Sequence, residues 1–131
     1  MAHCLIVDDS RVIRAVARRI LEELHFIAGE ARDGLSALRA SRKKMPDLIL
    51  LDWSMPGMTG MEFVRSLRGQ PDGGRPIILI CITEMDAHEI AQAVAAGIDD
   101  YLMKPFDRDT LSAKLAELNA HQAVSRGAAI V

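Results

Sequence analysis

Short apolar runs alternate with helical patterns five times along the chain. Residues 4–7, 48–51 and 77–82 are apolar throughout, and residues 26–31 and 101–103 form weaker runs of the same kind. Short runs that are apolar at every position are typical of strands buried on both faces of a parallel sheet. The pattern therefore predicts five parallel strands that are separated by helices.

Helical periods fill the intervals between the predicted strands. The apolar stripes of the first, second and fourth helices contain Val12 with Val16, Leu35, and Val94. Capping signals define the helix ends, because side chains that accept from backbone amides are favoured at the start and glycine at the end. The residues expected to begin or end helices are Ser10 or Asp9, Thr59 with Glu62, Asp86, Gly97 and Asp107.

The strict alternation of strands and helices predicts one doubly wound α/β domain. The chain has 131 residues, of which 50% are hydrophobic and 26% are charged, so it can bury a sizeable core. We assign residues 1–120 to this domain. Residues 121–131 show no clear period, and we expect them to form a C-terminal tail that frays. The pattern contains no second domain.

Net charge limits the kinds of partner that the protein is expected to bind, and the N-terminal residues indicate its cellular location. Sixteen basic and eighteen acidic residues give a net charge of −2, whereas nucleic-acid binders usually carry a basic excess. The apolar runs are too short to span a membrane, and an acidic pair follows the first run too early for a signal peptide. Cys4 and Cys81 lie in apolar runs and are interpreted as buried free thiols. We therefore expect a cytoplasmic protein that binds neither nucleic acid nor membrane.

Charged residues follow three of the predicted strands at their carboxyl ends. Asp8 and Asp9 follow the first strand, Asp52 follows the third, and Lys104 with Pro105 follows the fifth. Ligands of doubly wound sheets bind beyond these ends. Two like charges about 4 Å apart cost roughly 4 kcal/mol at an effective dielectric near 20, so clustered acids raise a carboxylate pKa or recruit a cation. Mg²⁺ fits, because it takes one or two carboxylates together with phosphate oxygens.

The same residues suggest phosphoryl chemistry. Asp52 is placed to act as a carboxylate nucleophile and form an aspartyl phosphate, and Lys104 to act as a point charge for the phosphoryl oxygens. Each residue alone has a simpler interpretation, since a lone acid after a strand usually serves a turn or a cap and a lone lysine is usually solvated. The ordered set is the specific signal. Glu30, at the end of the second strand, has no evident role.

The ordered set resembles the receiver domain of two-component response regulators, specifically the single-domain kind exemplified by chemotaxis regulators. The resemblance covers about residues 3–120, and the pattern D-x-x-M-P-x-M-x-G is close to diagnostic. It implies a flavodoxin-like fold with five helices and a five-stranded parallel sheet in the order 2-1-3-4-5. The matching segments are LIVDDS at 5–10, LILLDWSMPGMTG at 48–60 and YLMKPF at 101–106.

The resemblance implies a phosphoacceptor and a set of Mg²⁺ ligands. Asp52 matches the phosphoacceptor. Asp9 matches the direct acidic ligand, and Asp8 matches its partner, which often reaches the ion through water. The backbone carbonyl of Ser54 matches the third protein ligand.

The resemblance also implies residues that sense the phosphoryl group. Lys104 matches the lysine that contacts this group, and its bond to Pro105 is expected to be cis. Tyr101 matches the aromatic switch residue. An ungapped match places Ile82 in the position of the switch hydroxyl and Thr83 one residue later, and strand alternation sends these two to opposite faces. We favour Thr83, because the fourth strand otherwise has no hydroxyl donor at the site.

The implied function is signalling rather than enzymatic turnover. A histidine kinase or phosphotransfer protein would donate a phosphoryl group to Asp52, and the chain would signal to a downstream protein through the face of the fourth helix, fifth strand and fifth helix. Chemotaxis and phosphorelay are both compatible with this role. Catalysis would be limited to Mg²⁺-dependent self-phosphorylation from small donors and slow self-dephosphorylation.

Three other functions fit the same fold less well. A haloacid-dehalogenase-type phosphatase needs a second acid two residues after the nucleophile, where this chain has Ser54. A flavin-binding module would have a phosphate loop after the first strand, where the acidic pair repels phosphate. A binder of a nucleotide second messenger would use basic side chains that we interpret as the solvated face of the first helix, namely Arg14, Arg18 and Arg19.

Overall fold

Five strands and five helices alternate along the part of the chain that the computed structural model describes, residues 2–125, with side chains described for residues 2–119. The strands pair in parallel in the order β2-β1-β3-β4-β5, which confirms the predicted topology. The elements are β1 (His3–Val7), α1 (Arg11–Glu23), β2 (Ile27–Ala31), α2 (Gly34–Lys43), β3 (Leu48–Asp52), α3 (Gly60–Arg68), β4 (Ile77–Ile82), α4 (Ala87–Ala96), β5 (Asp100–Met103) and α5 (Arg108–Ser125).

The sheet is covered on both faces, and alternate residues of each strand point to opposite layers. On β4, Ile80 and Ile82 pack in the layer formed with α2, α3 and α4, which we call the α2–α4 layer. Leu79 and Cys81 pack in the layer formed with α1 and α5, which we call the α1–α5 layer. The three central strands β1, β3 and β4 are therefore apolar at successive positions, whereas the edge strands β2 and β5 keep exposed and polar residues.

Helix ends lie where capping was predicted. The hydroxyl of Ser10 accepts from the Ile13 amide at 3.2 Å. Thr59 and Glu62 form the reciprocal capping box of α3. The fourth helix follows Asp86 and ends at Gly97, whose φ of 125° lies in a region that favours glycine. Two cap-related bonds also join Asp107 to Thr110 at the start of α5.

The predicted apolar stripes are wrong about burial at four helical positions. Exposed there are Val12, with 72% of its surface accessible, Val16, Leu35 and Val94. On the same three helices, small residues are fully buried instead, namely Ala17, Ala37 and Ala93. Small side chains let a helix approach the sheet, and a hydrophobicity pattern gives them little weight.

The C-terminal helix is longer than predicted. Helix α5 continues to Ser125, so residues 121–125 of the predicted tail are helical. Residues 126–131 lie outside the described part of the chain. Within residues 2–125, no helix combines the length and apolar character that crossing a membrane requires.

Candidate functional site

Three charged side chains from different strands meet at the carboxyl edge of the sheet. The ammonium nitrogen of Lys104, just after β5, lies 3.1 Å from Asp8 Oδ2 and 3.1 Å from Asp52 Oδ1. The Lys104 amide also donates to the Ile82 carbonyl at 2.8 Å, which anchors the residue beside β4. The side chain thus reaches across β4 to bridge the acids at the ends of β1 and β3.

Asp9 completes a cluster of three carboxylates. Oxygens of Asp8, Asp9 and Asp52 all lie within 4.8 Å of one another, with Asp8 and Asp52 buried and Asp9 exposed. Burial raises the pKa of Asp52, and the charge of Asp8 raises this pKa further, against the opposing effects of Lys104 and the Ser54 amide. Burial opposes the charge of Lys104, but its hydrogen bonds to Asp8 and Asp52 outweigh this effect and raise the Lys104 pKa.

The donor set fits Mg²⁺. All three side chains offer hard carboxylate oxygens, and the exposed Asp9 leaves the cluster open to water, of which Mg²⁺ keeps several molecules. Ser54 follows in the turn after β3, and its amide donates to Asp52 Oδ1 at 3.3 Å. One ammonium group against three carboxylates leaves excess negative charge, which a divalent cation offsets.

The two candidates for the switch hydroxyl position lie in different surroundings. Ile82 is buried in the α2–α4 layer. Thr83 is exposed and lines a cavity of about 310 Å³ on the side of α1, where Lys104 and Phe106 also contribute to the wall. Thr83 therefore lies on the same side of the sheet as Lys104.

Tyr101 lies at the other face of the edge strand. Its neighbour Leu102 packs in the α1–α5 layer, so alternation along β5 places Tyr101 and Met103 toward the α4 side. Tyr101 is 36% exposed, and the ammonium of Lys114 lies 5.9 Å from the ring centroid. Tyr101 therefore lies at the exposed edge of the sheet, within reach of α5.

The segment after Asp52 is held by close packing. The Trp53 amide donates to the Cys81 carbonyl at 3.1 Å. A Cβ at Gly60 would lie 2.3 Å from the Trp53 ring, so the ring rests directly on the first residue of α3. The peptide bond between Lys104 and Pro105 is cis, as expected.

Two residues near the site were misjudged from the sequence. Arg14, interpreted as solvated, has a side chain only 16% exposed and donates to the Asp8 carbonyl at 2.8 Å. Glu30, which had no evident role, accepts from Arg14 at 3.0 Å and from Arg18 at 2.7 Å. Arg19 is solvated as expected, with 84% of its side chain exposed. The only signal for this pairing in the sequence was an acid at the end of the second predicted strand together with arginines on the first predicted helix. Which of these side chains meet depends on tertiary packing.

Comparison with known proteins identifies the family. Residues 4–116 match the model of the response regulator receiver domain. The chain is 35% identical over 115 residues to the chemotaxis protein CheY-3 of Vibrio cholerae, covering 87% of this chain and 88% of that protein.

Solved structures agree with the sequence match. The chemotaxis response regulator CheY4 of Vibrio cholerae superposes with a TM-score of 0.86 at 36% identity, covering 90% of this chain and 98% of that chain. The receiver domain of the Pseudomonas aeruginosa sensor histidine kinase PA1611, solved with a magnesium ion in its active-site cleft, gives a TM-score of 0.80 at 29% identity, covering 89% and 96%. The chain therefore belongs to the response regulator receiver domain family.

Proposed function

We propose that Asp52 is the phosphoacceptor of this receiver domain, with Mg²⁺ held by Asp8, Asp9, Asp52 and the Ser54 carbonyl. The observation that carries the proposal is the single ammonium of Lys104, which bridges Asp52 and Asp8 within a cluster of three carboxylates. Lys104 and the Ser54 amide both bind Oδ1 of Asp52. In the described part of the chain the second carboxylate oxygen is left for reaction.

The proposed reaction moves one phosphoryl group between side chains. A carboxylate oxygen of Asp52 attacks the phosphorus of a phosphohistidine on a kinase or phosphotransfer protein. The new O–P bond forms as the N–P bond breaks, and the electron pair stays on the imidazole nitrogen. Bound Mg²⁺ would neutralise charge that develops on the phosphoryl oxygens. Lys104 then transfers its hydrogen bond from Asp52 to a phosphoryl oxygen. This hydrogen bond is strong because both groups are charged.

Thr83 is the proposed third donor to the phosphoryl group. Bound Mg²⁺ and Lys104 would serve two of the three oxygens, and a further donor would be needed for the last. Thr83 shares a cavity wall with Lys104, which supports this role, whereas Ile82 offers no donor and is buried in the opposite layer. Tyr101 would then respond through movement of the backbone between β4 and α4 rather than by direct contact with Thr83.

Two exposed apolar surfaces are proposed for partners. Val12 and Val16 lie on α1 near the site, and we assign this surface to the kinase or phosphotransfer protein. Val94, Tyr101 and Met103 lie exposed on α4 and β5, and we assign them to the downstream protein. Similarity to relatives named as chemotaxis proteins supports an output in chemotaxis. Similarity to the receiver domain of a sensor histidine kinase supports an output in a phosphorelay.

Phosphorylation from a small donor tests the assignment of Asp52. The purified protein is incubated with acetyl phosphate and Mg²⁺, and the adduct is mapped by borohydride trapping and mass spectrometry. We expect one labelled residue, loss of label with chelator, and loss of label in Asp52→Asn. Asp109→Asn, a change at an exposed acid of α5, should label like the wild type. Label at the wild-type level in Asp52→Asn would refute the assignment.

A further inference from the structure

Glu30 joins two arginines of α1 to the edge of the sheet. One carboxylate oxygen accepts from Arg14 Nε at 3.0 Å, and the other accepts from Arg18 Nε at 2.7 Å. Hydrogen bonds from Arg18 and Arg14 lower the Glu30 pKa, so the carboxylate is charged at neutral pH. Glu30 thus fixes the guanidinium of Arg14 from one side.

Arg14 uses another edge of the same guanidinium to hold the acidic pair. Its Nη1 donates to the main-chain carbonyl of Asp8 at 2.8 Å. That carbonyl belongs to the peptide that joins Asp8 to Asp9, so the bond sets the plane of this peptide. Because a guanidinium is planar and rigid, fixing it at Glu30 also fixes its direction at the carbonyl.

The orientation of the Asp9 side chain depends on this peptide more than that of the Asp8 side chain does. The Asp8 backbone amide donates a hydrogen bond to the Ala31 carbonyl at 3.1 Å, and the Asp8 carboxylate accepts from the Ser10 amide at 2.8 Å and pairs with Lys104. Asp9 is exposed, and in the described part of the chain its carboxylate has no hydrogen bond or ion pair of its own. Its orientation therefore follows from the backbone to which it is attached.

We propose that Glu30 and Arg14 form a positioning pair that orients the Asp8–Asp9 peptide, and through it the Asp9 carboxylate, for binding a divalent cation. This inference rests on the proposed function. Arg18 also binds Glu30 but, among the residues that the structure describes, makes no hydrogen bond to Asp8 or Asp9, so it serves as the matched control.

Mg²⁺ affinity tests the pair directly. Magnesium chloride is titrated into wild-type protein and into Arg14→Ala, Glu30→Gln and Arg18→Ala, with the fluorescence of Trp53, the only tryptophan, as the readout. Outer partners of metal ligands typically change affinity by roughly tenfold or more, so we expect about this loss in Arg14→Ala. Glu30→Gln should also bind more weakly, whereas Arg18→Ala should stay within about twofold of wild type. The double variant Arg14→Ala/Glu30→Gln should be no weaker than Arg14→Ala, because both residues act through one path.

Phosphorylation kinetics separate positioning from general damage. In acetyl phosphate reactions, the Mg²⁺ concentration for half-maximal rate should rise in Arg14→Ala while the rate at saturating Mg²⁺ stays near wild type. A metal-free readout comes from amide exchange at Ser10, which should be faster in Arg14→Ala. If Arg14→Ala does not fold, Arg14→Lys, which keeps the charge but cannot bridge both partners, takes its place.

The outcomes distinguish this inference from the proposed function. Wild-type protein that binds Mg²⁺ and is phosphorylated at Asp52, together with Arg14→Ala that titrates like wild type, overturns the positioning pair alone. A loss of maximal rate without a change in Mg²⁺ dependence overturns it as well. Wild-type protein that neither binds Mg²⁺ nor accepts a phosphoryl group overturns the proposed function first.

Discussion

The ammonium of Lys104 lies 3.1 Å from the carboxylate of Asp52, although the two residues follow strands that are separated by β4. The same nitrogen lies 3.1 Å from Asp8. Lys104 thus occupies the space between the two buried acids and partly offsets their repulsion. Any cation that binds these carboxylates must share them with Lys104.

Removal of the Lys104 charge should tighten Mg²⁺ binding while slowing phosphorylation. In Lys104→Met the carboxylates lose a competing cation, and a unit charge about 4 Å away is worth up to roughly 4 kcal/mol before screening. We expect Mg²⁺ affinity to increase by roughly threefold or more, allowing for partial solvent screening. Phosphorylation by acetyl phosphate should slow, because a phosphoryl oxygen loses its ion-assisted hydrogen bond.

Lys114→Met provides the control for this variant. Lys114 pairs with Asp100 at 3.0 Å, away from the acidic cluster. Its removal deletes one positive charge without changing the carboxylate site, so Mg²⁺ titrations by Trp53 fluorescence should resemble wild type. Equal responses from the Lys104 and Lys114 variants would mean that Lys104 does not compete with the ion.

The sequence predicted the fold because local and global signals agree. Strands β1, β3 and β4 are built on unbroken apolar runs, and caps such as Thr59 with Glu62 lie beside the helices that they begin. Burial of individual helical residues was harder to predict. Val12 carries an apolar side chain but is exposed, whereas Ala17 is fully buried with little hydrophobic signal. Periodicity reports which face of a helix is apolar, not how far the sheet extends beneath it.

The charged core of the site was predictable, but its surroundings were not. Asp52 is the last residue of β3, and Asp8 and Lys104 directly follow β1 and β5, so the topology alone brings them together. Arg14 and Glu30 lie on α1 and β2, and they meet only through the packing of that helix against that strand, which no spacing in the sequence encodes. Interactions that depend on packing between layers require the structure.

Thr83→Val should weaken the link between the phosphoryl group and the β5 surface. Valine keeps the size of threonine but lacks the hydroxyl, and a hydrogen bond to a charged group contributes roughly 1.5–3 kcal/mol. We expect weaker binding of beryllofluoride, a phosphoryl mimic, and smaller amide shifts around Tyr101 when it binds. Thr83→Ser, which keeps the hydroxyl, should respond nearly like wild type. If Thr83→Val responds like wild type, Thr83 is not the switch residue.

Arg68→Ala should destabilise the whole domain. The guanidinium donates to the carbonyls of Gly73 at 2.9 Å, Pro76 at 2.8 Å and Gly97 at 2.6 Å, and to Asp99 at 3.2 Å. These bonds tie the end of α3 to the glycine-rich loop before β4 and to the connection between α4 and β5. Loss of several charge-assisted bonds from a side chain that is only 20% exposed should lower the free energy of unfolding by about 3 kcal/mol.

Urea denaturation of Arg68→Ala can be compared with that of Arg65→Ala, one turn earlier on α3. Arg65 is exposed, so its removal should change the free energy of unfolding by less than about 0.5 kcal/mol. Similar losses in both variants would show that the Arg68 contacts add little to stability.

Gly60→Ala should disturb the turn that carries Asp52. An added Cβ would lie 2.3 Å from the Trp53 ring, and Trp53 follows Asp52 directly, so the ring or the start of α3 must shift. Overpacking of this kind costs roughly 1–3 kcal/mol, which exceeds the roughly 1 kcal/mol that alanine gains over glycine in a helix. We therefore expect lower stability in urea and an altered Trp53 emission.

Gly74→Ala is the matched control, because nothing lies within 4 Å of a Cβ there. Its stability and emission should stay near wild type. Unchanged emission and stability in Gly60→Ala would mean that the Trp53 ring moves aside freely and does not fix the segment after β3.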